Sequence, residues 1–189
     1  MSRFLDPIDV ALQVTTALDA LGVAHTIGGS IASSVAGEPR STIGIDIVAA
    51  LEPKHVRPLV EALEGEFYVE RIALERAVAE RRSANLIHQA TQIKVDVFAA
   101  GGTALDTLQL SRRQAVDIGD RRIYVHPPGD ILLQKLRWFR LSGESSDRQW
   151  RDVLGIVRVQ GQRLDTAYLR RGAELLDVVE LLERALPGV

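Results

Sequence analysis

The chain has 189 residues and a mass of 20.7 kDa, enough for one substantial core with a small appendage and too short for three ordinary domains. Its composition is 46% hydrophobic and 25% charged with no cysteine, which excludes a disordered chain, disulfides, thiolate zinc sites and cysteine nucleophiles, and fits a cytoplasmic protein. The formal charge of −2 is not that of a nucleic-acid coat protein, no apolar run nears the ~18 residues of a membrane span, and Met1-Ser2-Arg3-Phe4-Leu5 has no signal-peptide core, so no membrane partner is expected.

In chain order, Asp6-Pro7 starts a helix, cap then first-turn proline, with Val10, Val14, Leu18 and Leu21 at helical spacing and Gly22 at its end. His25-Thr26-Ile27 predicts a short strand running into Gly28-Gly29-Ser30, and residues 31–36 a short helix. Gly37-Glu38-Pro39 is a turn. Ile43 to Leu51 predicts a strand with Ile43, Ile45 and Ile47 on one face and Gly44, Asp46 and Val48 on the other. A helix follows from Pro53 to about Leu63, although Pro58 inside it argues for a kink.

Phe67-Tyr68-Val69 predicts a strand and residues 72–81 a helix. Leu86-Ile87-His88 and Gln92 to Phe98 predict a hairpin around Ala90-Thr91. The second arm carries Ile93, Val95 and Val97 on one face and Lys94, Asp96 and Phe98 on the other. Gly101-Gly102 is a loop and Ile123-Tyr124-Val125 a last short strand. From Pro128 the texture is helical: 131–139, 147–159, 164–176 and 178–186, punctuated by Gly143, Gly161 and Asp165, with Trp138 and Trp150 at core positions. The expected organisation is an α/β (α+β) domain over 1–127 with a short mixed sheet flanked by helices, and a helical bundle over 128–189 packed on it.

Two features point to chemistry. A strand ending in Gly28-Gly29-Ser30 at a helix start offers bare backbone amides and a hydroxyl to a phosphate, though a Gly-Gly-Ser also serves as a plain tight turn. Asp46 and Asp96 each interrupt an otherwise apolar strand, which is costly unless that face opens to water, a metal or a partner. On adjacent strands the two would converge on one divalent cation; the alternative is a pair of half-exposed strands in an open-faced sheet.

The string Gly28-Gly29 … Gly37-Glu-Pro-Arg40-Ser-Thr42-Ile-Gly44-Ile45-Asp46, followed by Ile93-Lys-Val-Asp96-Val-Phe98, resembles the signature of the nucleotidyltransferase superfamily typified by DNA polymerase β. More narrowly it resembles the abortive-infection (AbiEii-type) nucleotidyltransferase toxins of type IV toxin–antitoxin systems and their bacterial relatives. Pro128-Gly-Asp-Ile-Leu-Leu-Gln-Lys135-Leu136 looks like the helix after the catalytic domain, and Ser146 to Val153 like the next polar helix. The likeness covers roughly residues 8 to 160.

The resemblance implies a minimal nucleotidyltransferase fold and Mg2+-dependent (or Mn2+-dependent) transfer of a nucleotide from a nucleoside triphosphate to an RNA, such as a tRNA, or to another acceptor. It gives Gly28, Gly29, Ser30, Arg40 and Lys135 to the nucleotide's phosphates, and Asp46 and Asp96 to metal and catalysis. A cognate antitoxin is an implied partner. Residues 112–151, with nine basic side chains against five acidic ones, are where RNA would dock; such a run also reads as a solvated helix face.

One position departs from the pattern. Where the family has the first Asp of Asp-x-Asp, this chain has Gly44, on the same strand face as Asp46. Two-metal catalysis needs that ligand, so the departure predicts crippled catalysis with phosphate binding retained, or a catalytically inactive relative that binds nucleotide, RNA or a partner protein.

Overall fold

The structure, a computed structural model, describes residues 5–38, 44–100 and 103–187, which fall into two units: 5–31 with 44–125, and 32–38 with 126–187. The first opens with helix α1 (Pro7–Ala20). Asp6 accepts from the Asp9 amide, and the Asp9 side chain accepts from the Asp6 amide, so two orphan donors are met at once. Val10, Ala11, Val14 and Leu18 form its buried stripe, and Gly22 follows the helix at φ +67°.

Seven strands make one mixed sheet: β1 (His25–Ile27), β2 (Gly44–Ala49), β3 (Phe67–Val69), β4 (Ser83–His88), β5 (Lys94–Ala99), β6 (Gln114–Ile118) and β7 (Arg121–Val125). Their order is β3-β4-β5-β2-β1-β7-β6. The pairs β2–β5 and β1–β7 are parallel and the rest antiparallel. Strict alternation buries Ile45, Ile47 and Ala49 of β2 with Val95, Val97 and Ala99 of β5. Each larger aliphatic side chain so buried contributes about 1.5–3 kcal/mol. Gly44, Asp46, Val48, Lys94, Asp96 and Phe98 are thereby turned to the other, partly open face.

Helix α2 (Gly29–Ala36) starts in this unit, which also holds α3 (Pro53–Leu63), α4 (Arg71–Glu80) and α5 (Ala104–Ser111). Helix α3 runs unbroken through Pro58. The carbonyl that proline cannot serve belongs to Lys54, an exposed residue where water can pair with it. The sequence reading leaves α5 and β6 out. Thr103 and Asp106 form a reciprocal cap at the start of α5, and Gly119 (φ +65°) and Asp120 form the two-residue turn between β6 and β7. Both are local signs, but β6 is mostly exposed and shows no apolar face to betray it.

The second unit holds the rest of α2 with α6 (Pro128–Leu141), α7 (Asp147–Gln160), α8 (Thr166–Leu176) and α9 (Val179–Ala185). Leu132, Leu133, Leu136, Phe139, Val153, Ile156, Leu169 and Leu182 are its buried apolar core. Leu133 seats against Gly172, where a Cβ would collide with it. Trp150 packs on Phe139 with the rings tilted by 37° and 5.2 Å between centroids, under the Arg184 guanidinium. Trp138, expected in the core, is 47% exposed. The buried stripe of α6 runs through 132, 136 and 139, which turns 138 outward. No helix among the described residues is long and apolar enough to cross a membrane.

Candidate functional site

The site begins where β1 ends. The Gly28 amide donates to the Asp46 carbonyl (2.7 Å), which carries the chain past β2 before it turns into α2 at Gly29. Gly29 has φ +56°, a conformation that costs a residue with a side chain about 1–2 kcal/mol. A second constraint is stronger. A Cβ on Gly29 would lie 2.9 Å from Asp46 Cβ and would overlap its carboxylate, so the Asp46 side chain occupies the space that glycine leaves. The carboxylate thus rests at the amino-terminal end of a helix, where negative charge interacts favourably with the aligned peptide dipoles. Ser30, the next residue, is buried.

Register brings the second carboxylate alongside. In the parallel β2–β5 pair, Asp46 lies opposite Asp96 and Gly44 opposite Lys94. Because partners in a ladder project from the same face, these positions form a two-by-two patch beside the glycine turn. Lys94 Nζ is 3.1 Å from Asp96 Oδ1, with the lysine side chain 53% and the aspartate 25% exposed. Asn85 of β4, an exposed amide, lies opposite Asp96 on its other side. A Cβ on Gly44 would meet nothing within 4 Å, so the corner where the family pattern has a carboxylate is open space.

Magnesium keeps several waters and takes one or two carboxylates beside substrate phosphates, so Asp46 and Asp96 fit a single such ion. They do not fit two ions, which need an acid at the Gly44 corner. Among the described residues no group of three or more His, Asp or Glu is arranged to hold a metal.

Of the residues expected at the site, Gly28, Gly29, Ser30, Asp46 and Asp96 come together in the sheet-bearing unit. Arg40 lies outside the described residues, as do Thr42 and Gly101-Gly102. Lys135 lies in the helical unit, almost wholly buried, with its Nζ 2.8 Å from Asp152 Oδ2. In the same unit the Tyr168 hydroxyl donates to the buried Asp130 carboxylate. Several cations of 112–151 are engaged locally: Arg121 with Asp6 and Asp9, Arg122 with Asp117, and Arg140 with Glu144 and Glu180. Arg137, Arg148 and Arg151, all on α6 or α7, are exposed. Lys94 is the residue to which the sequence reading gives no role. Its place two before Asp96 on one strand face is the sign that marks it.

No protein-family model matches the chain, and no curated protein does. Solved structures do. An antigenic nucleotidyltransferase-like protein from Paracoccidioides brasiliensis aligns at TM-score 0.53 and 18% identity over 93% of this chain and 90% of its own. The lincosamide antibiotic adenylyltransferase LnuA, solved with lincomycin, aligns at 0.54 and 14% over 79% and 95%. ANT(2″)-Ia in complex with adenylyl-2″-tobramycin aligns at 0.56 and 11% over 90% and 96%. The fold is that of nucleotidyltransferases. At such identities the likeness establishes the nucleotidyltransferase fold and not the reaction, which must be argued from the residues of the site.

Proposed function

We propose that the chain binds a nucleoside triphosphate at the Gly28-Gly29-Ser30 turn and transfers its nucleotide, weakly, to an acceptor hydroxyl. The observation that carries this reading is the juxtaposition of Asp46 with both Asp96 and the glycine turn in a nucleotidyltransferase fold. The amides of the turn bind phosphate oxygens at a helix start. Asp46 and Asp96 would hold one divalent cation, Mg2+ or Mn2+, which would offset charge on the phosphates. Asp96, on the open face, accepts the proton of the acceptor hydroxyl. That oxygen bonds to the α-phosphorus as the bond to the β-phosphate breaks, and pyrophosphate leaves.

The organisation into an α/β domain over 1–127 and a helical region over 128–189 belongs to the same proposal, as does a phosphate contact from Arg40. Lys135, which the resemblance gives to the phosphates, pairs with Asp152 within the helical unit. For the acceptor, structural neighbours solved with lincomycin and with adenylyl-2″-tobramycin favour a small polyhydroxylated molecule. An RNA such as a tRNA, docked on Arg137, Arg148 and Arg151, and an antitoxin partner are what the AbiEii-type resemblance adds.

A second reading, a relative that binds nucleotide without turning it over, is favoured by the empty Gly44 corner and by the Lys94–Asp96 ion pair. Calorimetric titration with ATP, CTP, GTP and UTP tests binding; no heat from any of them ends both readings. Incubation with labelled nucleotides and either bulk RNA or tobramycin and lincomycin then separates them. The first reading expects slow labelling that Asp46→Ala abolishes, and the second expects none in wild type.

A further inference from the structure

We propose that the Lys94 ammonium stands in for a metal ion at this site, so that nucleoside triphosphate binds without any divalent cation and only transfer requires one. The inference rests on the nucleotide-binding reading above and adds the means by which the site balances charge. Three carboxylates at 44, 46 and 96 would repel a polyphosphate and demand metal before it could enter. Here the same four positions, all among the described residues, hold two carboxylates and one ammonium between them.

The two changes are register partners. Gly44 removes an acid and leaves open space, and Lys94, directly opposite on β5, supplies a cation next to that space. The ammonium already sits 3.1 Å from Asp96 Oδ1, one of the oxygens that a metal would ligate. It is half-exposed, so it is held at the patch without being shut away from a ligand. A lysine ammonium has three donors, of which Asp96 engages one in this geometry, leaving donors for phosphate oxygens. Exposed ion pairs of this type are weak, so the side chain reorients at little cost.

The test is titration of ATP, CTP, GTP and UTP into wild type, Lys94→Gln and Lys94→Arg, in EDTA and in excess Mg2+, with circular dichroism confirming each fold. Wild type and Lys94→Arg are expected to bind in EDTA within about threefold of their affinity in Mg2+, whereas Lys94→Gln loses at least about tenfold in EDTA and recovers with Mg2+. In parallel, Mn2+ titrated alone and followed by electron paramagnetic resonance is expected to bind Lys94→Gln more tightly than wild type, because the competing cation has gone. Wild-type binding that requires Mg2+, or Lys94→Gln binding in EDTA as well as wild type, overturns the inference and leaves the nucleotide-binding reading standing. Absence of binding under every condition overturns both.

Discussion

The carboxylate of Asp46 occupies the space beside Gly29 that any other amino acid would fill with its Cβ. Gly29 is therefore fixed twice, by φ +56° and by the neighbouring strand. Gly29→Ala is expected to destabilise the protein by about 2 kcal/mol or more and to displace Asp46. Gly44→Ala, at a glycine with open space around it, is expected to be neutral or to stabilise by about 0.5 kcal/mol, since alanine is the less costly residue within a strand. Urea unfolding of the pair checks the contrast; equal losses would mean that Gly29 is not held as described.

Gly44→Asp places an acid at the open corner, where its Cβ meets nothing within 4 Å. Mn2+ affinity is expected to rise about tenfold, equivalent to about 1.4 kcal/mol. Nucleotide transfer should rise with it, and Gly44→Asp/Asp46→Ala should lose both gains. Calorimetry with Mn2+ and a labelled-nucleotide assay report the two effects separately.

Lys135 and Asp152 form an ion pair that water barely reaches. Lys135→Met leaves a buried carboxylate without its counter-charge and is expected to cost about 3–5 kcal/mol. The double substitution Lys135→Met/Asp152→Leu should recover most of that loss. Guanidinium unfolding of the single and double variants checks it, and a lysine serving only a ligand would show no such recovery.

Arg121 anchors the start of α1 by donating to Asp6 and Asp9. Partial burial pushes the Asp6 pKa up, but the hydrogen bond from Arg121, the amides of Asp9 and Ile8 and the guanidinium charge outweigh it and hold the carboxyl below its usual 3.8. A carboxyl lowered in the folded state contributes stability that is fully present above its unfolded pKa and is lost as pH falls through the folded value. Thermal stability of wild type should therefore decline more steeply below about pH 4 than that of Asp6→Asn. At neutral pH Asp6→Asn should cost about 1 kcal/mol, the pair being partly exposed. Parallel melting curves from pH 7 to pH 2.5 decide it.

Much of this architecture is legible in the sequence because period-two alternation and helix caps are local. The polar faces of β2 and β5 follow from residue order alone. That Asp46 meets Asp96 does not: it depends on two strands distant in sequence pairing in parallel with one register, and a slip of one residue would turn either carboxylate to the buried face. Lys94 is visible as a same-face neighbour of Asp96, yet its place opposite Gly44 depends on the same register. The ion pair of Lys135 also leaves a sign in the sequence. It lies four residues after Ile131 and four before Phe139, both buried, so its stem belongs to the core of the helical unit and its charge needs an acid on the next helix.

The proposed function stands on a nucleoside triphosphate binding where the glycine turn meets the two aspartate strands. Hydrogen–deuterium exchange with and without saturating ATP, read by mass spectrometry at peptide level, tests it most directly. Exchange is expected to slow chiefly in peptides spanning 28–33, 44–49 and 94–99, and this slowing to disappear in Asp46→Ala. ATP-dependent protection centred elsewhere, with these segments unchanged, would contradict it.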